Sequence, residues 1–154
     1  MTNKTLVFDM DGTLVDLYGV ENWLEQLRSF NPRPYVVAKP LYDMEVLKSL
    51  LEVLKANGWK IVITSWLSKE TTPLYDEMVR VSKKYWLDSY SFPYDELHFV
   101  KYGTTKANCT RKLGGYQIIV DDNEKVRNGW HLGNTINANE NILVSLIDLI
   151  MAEF

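Results

Sequence analysis

Three features of the sequence predict an α/β fold built as a three-layer, doubly wound parallel sheet. Short apolar runs recur along the chain, each is followed by a turn and a helical pattern, and most of the runs are continuously apolar rather than alternating. A strand covered by helices on both faces meets water on neither, so side-chain alternation disappears from it.

The strands read from these runs are Thr5–Phe8, Lys60–Thr64, Leu97–Val100 and Gln117–Val120, with His98 interrupting the third. A further short strand is expected near Asn134–Ile136. Between them, Asp43–Ala56 sets Met44, Leu47, Leu50, Leu51 and Leu54 at helical spacing, and Gly58 just beyond supplies a left-handed stop. A second helix is predicted over Lys69–Tyr85 and a third over Thr105–Leu113, closed by Gly114–Gly115. The last, Asn139–Ala152, puts Ile142, Leu143, Leu146, Ile147 and Ile150 on one stripe. An insert at about residues 17–42, with a helical piece at Val20–Ser29 followed by Pro32, Pro34 and Pro40, reads as a small flap. No repeat, low-complexity tract or linker divides the chain, so residues 1–154 are read as one domain carrying that flap.

A composition of 46% hydrophobic and 24% charged residues is that of a soluble globular protein. A net charge of -3 offers no basic field for duplex nucleic acid. The single Cys109 excludes an internal disulfide framework and a cysteine-built metal site; inside a predicted helix it reads as a buried, inert thiol. Met1–Thr5 leads directly into the first strand without the long apolar core of a signal peptide, and the apolar Ile142–Met151 stretch is too short to cross a bilayer. A cytoplasmic protein without a membrane partner is therefore expected, its oligomeric state left open.

The chemistry concentrates at the ends of strands. Asp9-Met10-Asp11-Gly12-Thr13 follows the first strand, Thr64-Ser65 closes the second, and Asp121-Asp122 follows the fourth. In an open parallel sheet the carboxyl ends of the strands form the ligand-binding rim. Carboxylates crowded there repel one another unless a cation is bound, and a few hard oxygen ligands suit Mg²⁺. Such an ion also relieves the repulsion between a phosphate and a carboxylate nucleophile, so the cluster calls for a phosphorylated substrate.

Asp9-Met10-Asp11-Gly12-Thr13-Leu14 resembles the first signature of the haloacid dehalogenase-like (HAD) hydrolase superfamily. Thr64 after Ile61-Val62-Ile63 matches the second motif, Lys106 the third, and Asp121-Asp122 the fourth, in order across most of the chain. Lys101 also follows a strand and competes with Lys106 for the third role. The resemblance implies a Rossmann-like core whose first strand lies centrally, between the second and fourth. It implies that Asp9 forms an aspartyl-phosphate, and that Asp11 protonates the leaving oxygen and then activates water. Thr64, Ser65 and Lys106 would hold the phosphoryl oxygens. Asp9, the Asp11 backbone carbonyl and Asp122 would hold Mg²⁺, with Asp121 as a supporting ligand or orienter.

A second acid at Asp11 favours phosphatase over dehalogenase chemistry, and the short flap leaves little room for a phosphomutase cap. The chain is similar in brevity and signature to the small 5'-nucleotidase branch and to short viral-type phosphatases. The insert and its surroundings are rich in aromatic residues, Tyr18, Trp23, Tyr35 and Tyr42, with Trp66 just after the second motif. Tyr18, Trp23 and Trp66 could stack on a base, although Trp23 could equally pack the flap onto the domain. The expected partner is a small, nucleotide-like phosphate; the alternatives are a non-hydrolytic binder of such a ligand and a phosphatase of polynucleotide ends. His98 and His131 lack metal-ligand spacing and are read as structural or surface residues.

Overall fold

Parallel strands need long crossovers, and in the computed structural model, which describes residues 3–152, helices supply them. Met1, Thr2 and residues 153–154 of the expected domain lie outside the described residues. The strands are β1 (Lys4–Phe8), β2 (Val15–Asp16), β3 (Lys39–Pro40), β4 (Trp59–Trp66), β5 (Glu96–Val100), β6 (Tyr116–Asp121) and β7 (Thr135–Asn137). The helices are α1 (Trp23–Arg28), α2 (Arg33–Val37), α3 (Met44–Ala56), α4 (Pro73–Ser89), α5 (Lys106–Thr110), α6 (Glu124–Asn128) and α7 (Ile142–Ala152). The main sheet runs β5-β4-β1-β6-β7, so β1 is central between β4 and β6, as the resemblance implied.

Side chains alternate across this sheet even though their chemistry does not. Leu6, Phe8, Ile61, Ile63, Ile118 and Val120 pack with Leu47, Leu51 and Leu54 of α3 and Ile142 and Leu146 of α7. Val7, Val62 and Ile119 point to the opposite face and pack with Ala107 of α5 and with Trp130. Both faces are covered, which is why the central strands read as unbroken apolar runs. Every residue of the edge strand β5 is only half-buried, and that exposure accommodates His98.

The helix boundaries differ from the expected ones where capping chemistry intervenes. Helix α4 begins at Pro73 rather than Lys69, because the Thr72 side chain caps the Tyr75 amide and Pro73 suits the first turn. It runs on past Tyr85 because Trp86 and Leu87 are buried against the sheet. Asn141 accepts from the Leu143 amide at 3.0 Å and delays α7 to Ile142. On that helix Ile147 is exposed, contrary to the expected stripe, while Leu143, Leu149 and Ile150 pack partly against the core. Cys109 is half-exposed rather than buried, because the short α5 turns it away from the packed face that holds Ala107.

The flap is tied down at both ends. β2 and β3 form an antiparallel ribbon at its base, pairing Val15 with Pro40 and Asp16 with Lys39. Leu17 and Tyr35 pack with Leu67 and with Tyr75 and Val79 of α4. The Trp86 indole donates to the Ala38 carbonyl at 2.8 Å, fixing the return of the flap to the body of the fold. The flap is thereby held over the carboxyl ends of β1 and β4.

Candidate active site

Parallel pairing of β1 with β6 sets Phe8 beside Val120, and the Asp9 amide donates to the Val120 carbonyl at 3.0 Å. Asp9 and Asp121 therefore leave the sheet side by side. One oxygen from each of Asp9, Asp121 and Asp122 lies within 4.8 Å of the others. Lys106, the first residue of α5, places its Nζ 2.9 Å from Asp9 Oδ1 and 2.7 Å from Asp121 Oδ2. Lys101 is exposed.

A second layer of contacts fixes the acids. The buried Thr13 hydroxyl lies 3.1 Å from Asp9 Oδ2 and 3.3 Å from Asp122 Oδ1, and it accepts from the Asp122 amide at 3.2 Å. The Asn123 amide donates to Asp121 Oδ1 at 2.9 Å, while the Asn123 side chain caps α6. The acidic pair thus leads directly into a capped helix start. Arg127 and Asn139 donate to the backbone carbonyls of Asp121 and Asp122, at 3.0 and 2.8 Å. Gly12 has φ +80°, and a Cβ there would collide with the Asp122 carboxylate, so both conformation and space demand glycine.

Asp11 turns away from the three-acid group. Its Oδ2 accepts from Lys83 Nζ at 3.0 Å. Lys83 lies on α4 and is 1% exposed; it was not singled out in the sequence. Its ammonium also donates to Ser65 Oγ at 2.7 Å and to the Trp66 carbonyl at 2.9 Å. The signal that could have found it is its position among Tyr75, Val79 and Trp86, on the face of α4 where an apolar residue belongs.

Thr64 and Ser65 sit behind the rim. Both are buried, and neither lines the cavity above the acids. Ser65 is engaged by Lys83, whereas the buried Thr64 hydroxyl has no hydrogen-bond partner among the described residues. An unpaired buried hydroxyl at a strand end is costly, and an incoming oxygen or ordered water would satisfy it.

The cavity has a volume of about 360 Å³ and is lined by Asp9, Asp11, Lys106, Asp121 and Asp122 together with Tyr18, Trp23, Tyr35, Trp66 and Tyr102. Tyr18 and Trp23 meet edge to face at 5.0 Å. The Trp66 indole donates to the Thr104 carbonyl at 2.9 Å, and its ring lies 5.0 Å from that of Tyr102. Trp23 both packs against the flap core and lines the cavity, so its two readings are compatible. Tyr42 lies elsewhere, with its hydroxyl on the Glu140 carbonyl. His98 and His131 pair with Glu96 and Arg111, outside the cavity.

Burial is the main cause that raises the Asp121 carboxyl to about 6 and Asp122 to about 7, and the neighbouring Asp9 adds to both. Burial also raises Asp11, against the opposing pull of Lys83. Burial alone would lower Lys106, but Asp9 and Asp121 hold it above its ordinary value. One lysine is too little positive charge for three clustered carboxylates, and their all-oxygen donor set could hold a hard cation of the Mg²⁺ kind.

A stability test follows. From the ordinary value of 3.8 up to about 7, the folded protein binds more protons at Asp121 and Asp122 than the unfolded chain does, so metal-free stability falls as pH rises through that window. A cation bound by these acids would take the place of those protons. At saturating Mg²⁺ the melting temperature is expected to rise by about 5–10 °C at pH 7.5 and by much less at pH 5. Equal shifts at both pH values, or none, would contradict a metal site on these acids.

No protein-family model matches the sequence, and no curated protein matches it. Solved structures share its fold. A chain of the Pnkp1/Rnl/Hen1 complex aligns with a TM-score of 0.59 at 18% identity, over 89% of this chain and 45% of its own length. A second structure, of the Pnkp1/Rnl/Hen1 RNA repair complex, gives 0.56 at 20% identity, over 88% of this chain and 42% of that one. This chain therefore spans less than half the length of those two. The HAD domain of the effector protein Lem4 from Legionella pneumophila aligns with a TM-score of 0.52 at 15% identity, over 98% of this chain and 95% of that domain. Taken with the β5-β4-β1-β6-β7 order, these similarities establish that the chain has the HAD-like α/β fold.

Proposed function

We propose that the protein is a Mg²⁺-dependent phosphohydrolase that uses Asp9 as nucleophile on a nucleotide or nucleotide-derived monophosphate. The observation that carries this reading is the bridge from Lys106 to Asp9 and Asp121, at the floor of an aromatic-lined cavity and beside a three-carboxylate group. Lys106 fixes the Asp9 carboxylate in one rotamer and supplies a cation where phosphoryl oxygens would gain charge.

An Asp9 oxygen attacks phosphorus, the bond from phosphorus to the leaving oxygen breaks, and Asp11 gives that oxygen its proton. Asp11, now a carboxylate, takes a proton from water as the water oxygen attacks the aspartyl-phosphate. Phosphate leaves and the Asp9 carboxylate is restored. Asp9, Asp122 and the Asp11 carbonyl would hold Mg²⁺, with Asp121 in support; the ion supplies charge neutralisation for the phosphoryl group. Thr64, whose buried hydroxyl has no partner among the described residues, would accept the role of holding a phosphoryl oxygen once substrate reaches the end of its strand. Ser65 is better described as a support for Lys83 than as a phosphate ligand.

Above the reacting centre the cavity is of a size for one small ligand, and Trp66, held by Thr104, presents a fixed aromatic surface beside it. Tyr18 and Trp23 form the facing wall from the flap. These features support a flat, base-like substituent on the phosphate.

The decisive assay measures phosphate release from nucleoside monophosphates, sugar phosphates and short 3'- or 5'-phosphorylated oligonucleotides, with Mg²⁺ or EDTA. Turnover of mononucleotides with Mg²⁺, lost in EDTA, is the expected result. Preference for oligonucleotides, falling as salt rises, would replace the mononucleotide with a polynucleotide end. Tight nucleotide binding without phosphate release would overturn the hydrolase reading in favour of a binder.

A further inference from the structure

The proposed chemistry assigns no role to the most completely buried ammonium group near the site. Lys83 projects from the middle of α4, is 1% exposed, and spends all three of its N–H donors: on Asp11 Oδ2 at 3.0 Å, Ser65 Oγ at 2.7 Å and the Trp66 carbonyl at 2.9 Å. The ring of Tyr35, from the flap, covers it with its centroid 5.0 Å from Nζ. With no donor left over, Lys83 cannot serve as a phosphate ligand while these bonds persist. Burying a lone ammonium is costly, and replacing a buried ion pair by apolar residues is often neutral or stabilising, so fold stability alone gives little reason for a lysine on the apolar face of α4.

We propose that Lys83 is a positioning residue for Asp11, and this rests on the hydrolase reading above. By bonding Oδ2, it locks the carboxyl rotamer and leaves Oδ1 as the oxygen available to the leaving group and then to water. Its other two bonds anchor it to the end of β4, so Asp11 is referenced to the same strand that carries Thr64. The flap contributes through Tyr35, whose hydroxyl is in turn held 2.8 Å from Ser68 Oγ. The arrangement thus registers the proton-transfer group against both walls of the cavity.

Protonation of the leaving oxygen matters for an alkoxide and hardly at all for p-nitrophenolate, so the test compares the two. kcat/KM is measured for a nucleoside 5'-monophosphate and for p-nitrophenyl phosphate in wild type, Lys83→Met, Asp11→Asn and the double variant. Lys83→Met is expected to lower the nucleotide reaction by about 10²-fold or more and the p-nitrophenyl reaction by less than about tenfold. In the Asp11→Asn background the same change is expected to add little, because Lys83 acts through Asp11. Equal losses on both esters, or additive losses in the double variant, would make Lys83 a structural residue and leave the hydrolase reading intact. Failure of wild type to turn over either ester would bring down both. Should Lys83→Met alone fail to fold, the double variant removes both members of the buried pair, and its comparison with Asp11→Asn still decides between the outcomes.

Discussion

Asp9→Asn is expected to reduce phosphate release by about 10⁴-fold or more while leaving the fold intact. The side chain is buried beneath the cavity, and an amide of the same shape can still accept from Lys106 through its oxygen and donate through its NH2 to the Thr13 hydroxyl. What it loses is the anionic oxygen that would bond to phosphorus, for which no other group nearby substitutes. Asp11 is held by Lys83 outside the three-acid group, and Asp121 is occupied by Lys106 and the Asn123 amide. The substitution also removes one negative charge from the cluster that raises Asp121 and Asp122, so both carboxyls are expected to fall back toward their ordinary range. The melting temperature without Mg²⁺ should accordingly stay within a few degrees of wild type, and the gain on adding Mg²⁺ should shrink. Phosphate release and thermal unfolding, measured on one preparation, check both parts. Activity persisting above about a hundredth of wild type would remove Asp9 from the nucleophile role.

The legible parts of this molecule are those in which local pattern and tertiary environment agree. β1, β4 and β6 carry the unbroken apolar runs Leu6–Phe8, Ile61–Ile63 and Ile118–Val120 because helices cover both faces, and the acidic or hydroxyl-bearing residues that follow those runs announce the rim. Legibility fails where a residue's neighbours come from distant segments. Lys83 stands 72 positions from Asp11, and nothing in α4 itself distinguishes a buried lysine from the exposed Lys84 beside it, except its place on the apolar face. Ser65 follows a motif residue in sequence, yet it points to α4 and serves Lys83, because neighbours on a strand face opposite sides of the sheet. Tyr42 belongs to the same insert as Tyr18, but the chain has already returned to the body of the fold when it reaches Tyr42, and its hydroxyl meets the loop before α7. Helix α6, only five residues long, is too short to display a periodicity and is signalled mainly by its cap, Asn123.

Lys106→Met should have the largest combined effect on stability and activity. Nζ is the one ammonium within ion-pair distance of Asp9 and Asp121 among the described residues, and the side chain is 2% exposed. Removing one member of a buried charge network leaves its partners desolvated and unpaired, at a cost of about 3–5 kcal/mol. For a chain of this size that corresponds to a fall in melting temperature of roughly 10 °C or more. The loss should be greatest at neutral pH and smaller near pH 5, since protons can take the place of the missing cation on Asp121 and Asp122, whose carboxyls are already raised to about 6 and about 7 with Lys106 present. Mg²⁺ should recover part of the stability, because it too supplies positive charge to the cluster. It should not recover the rate: phosphate release is expected to remain about 10²–10³-fold below wild type, because the metal cannot reproduce a donor that reaches Asp9 and Asp121 from α5. Recovery of stability without recovery of rate would separate the two roles of Lys106, as counter-charge for the acids and as electrostatic support for the reacting phosphoryl group. Full recovery of both by Mg²⁺ would leave it only the first.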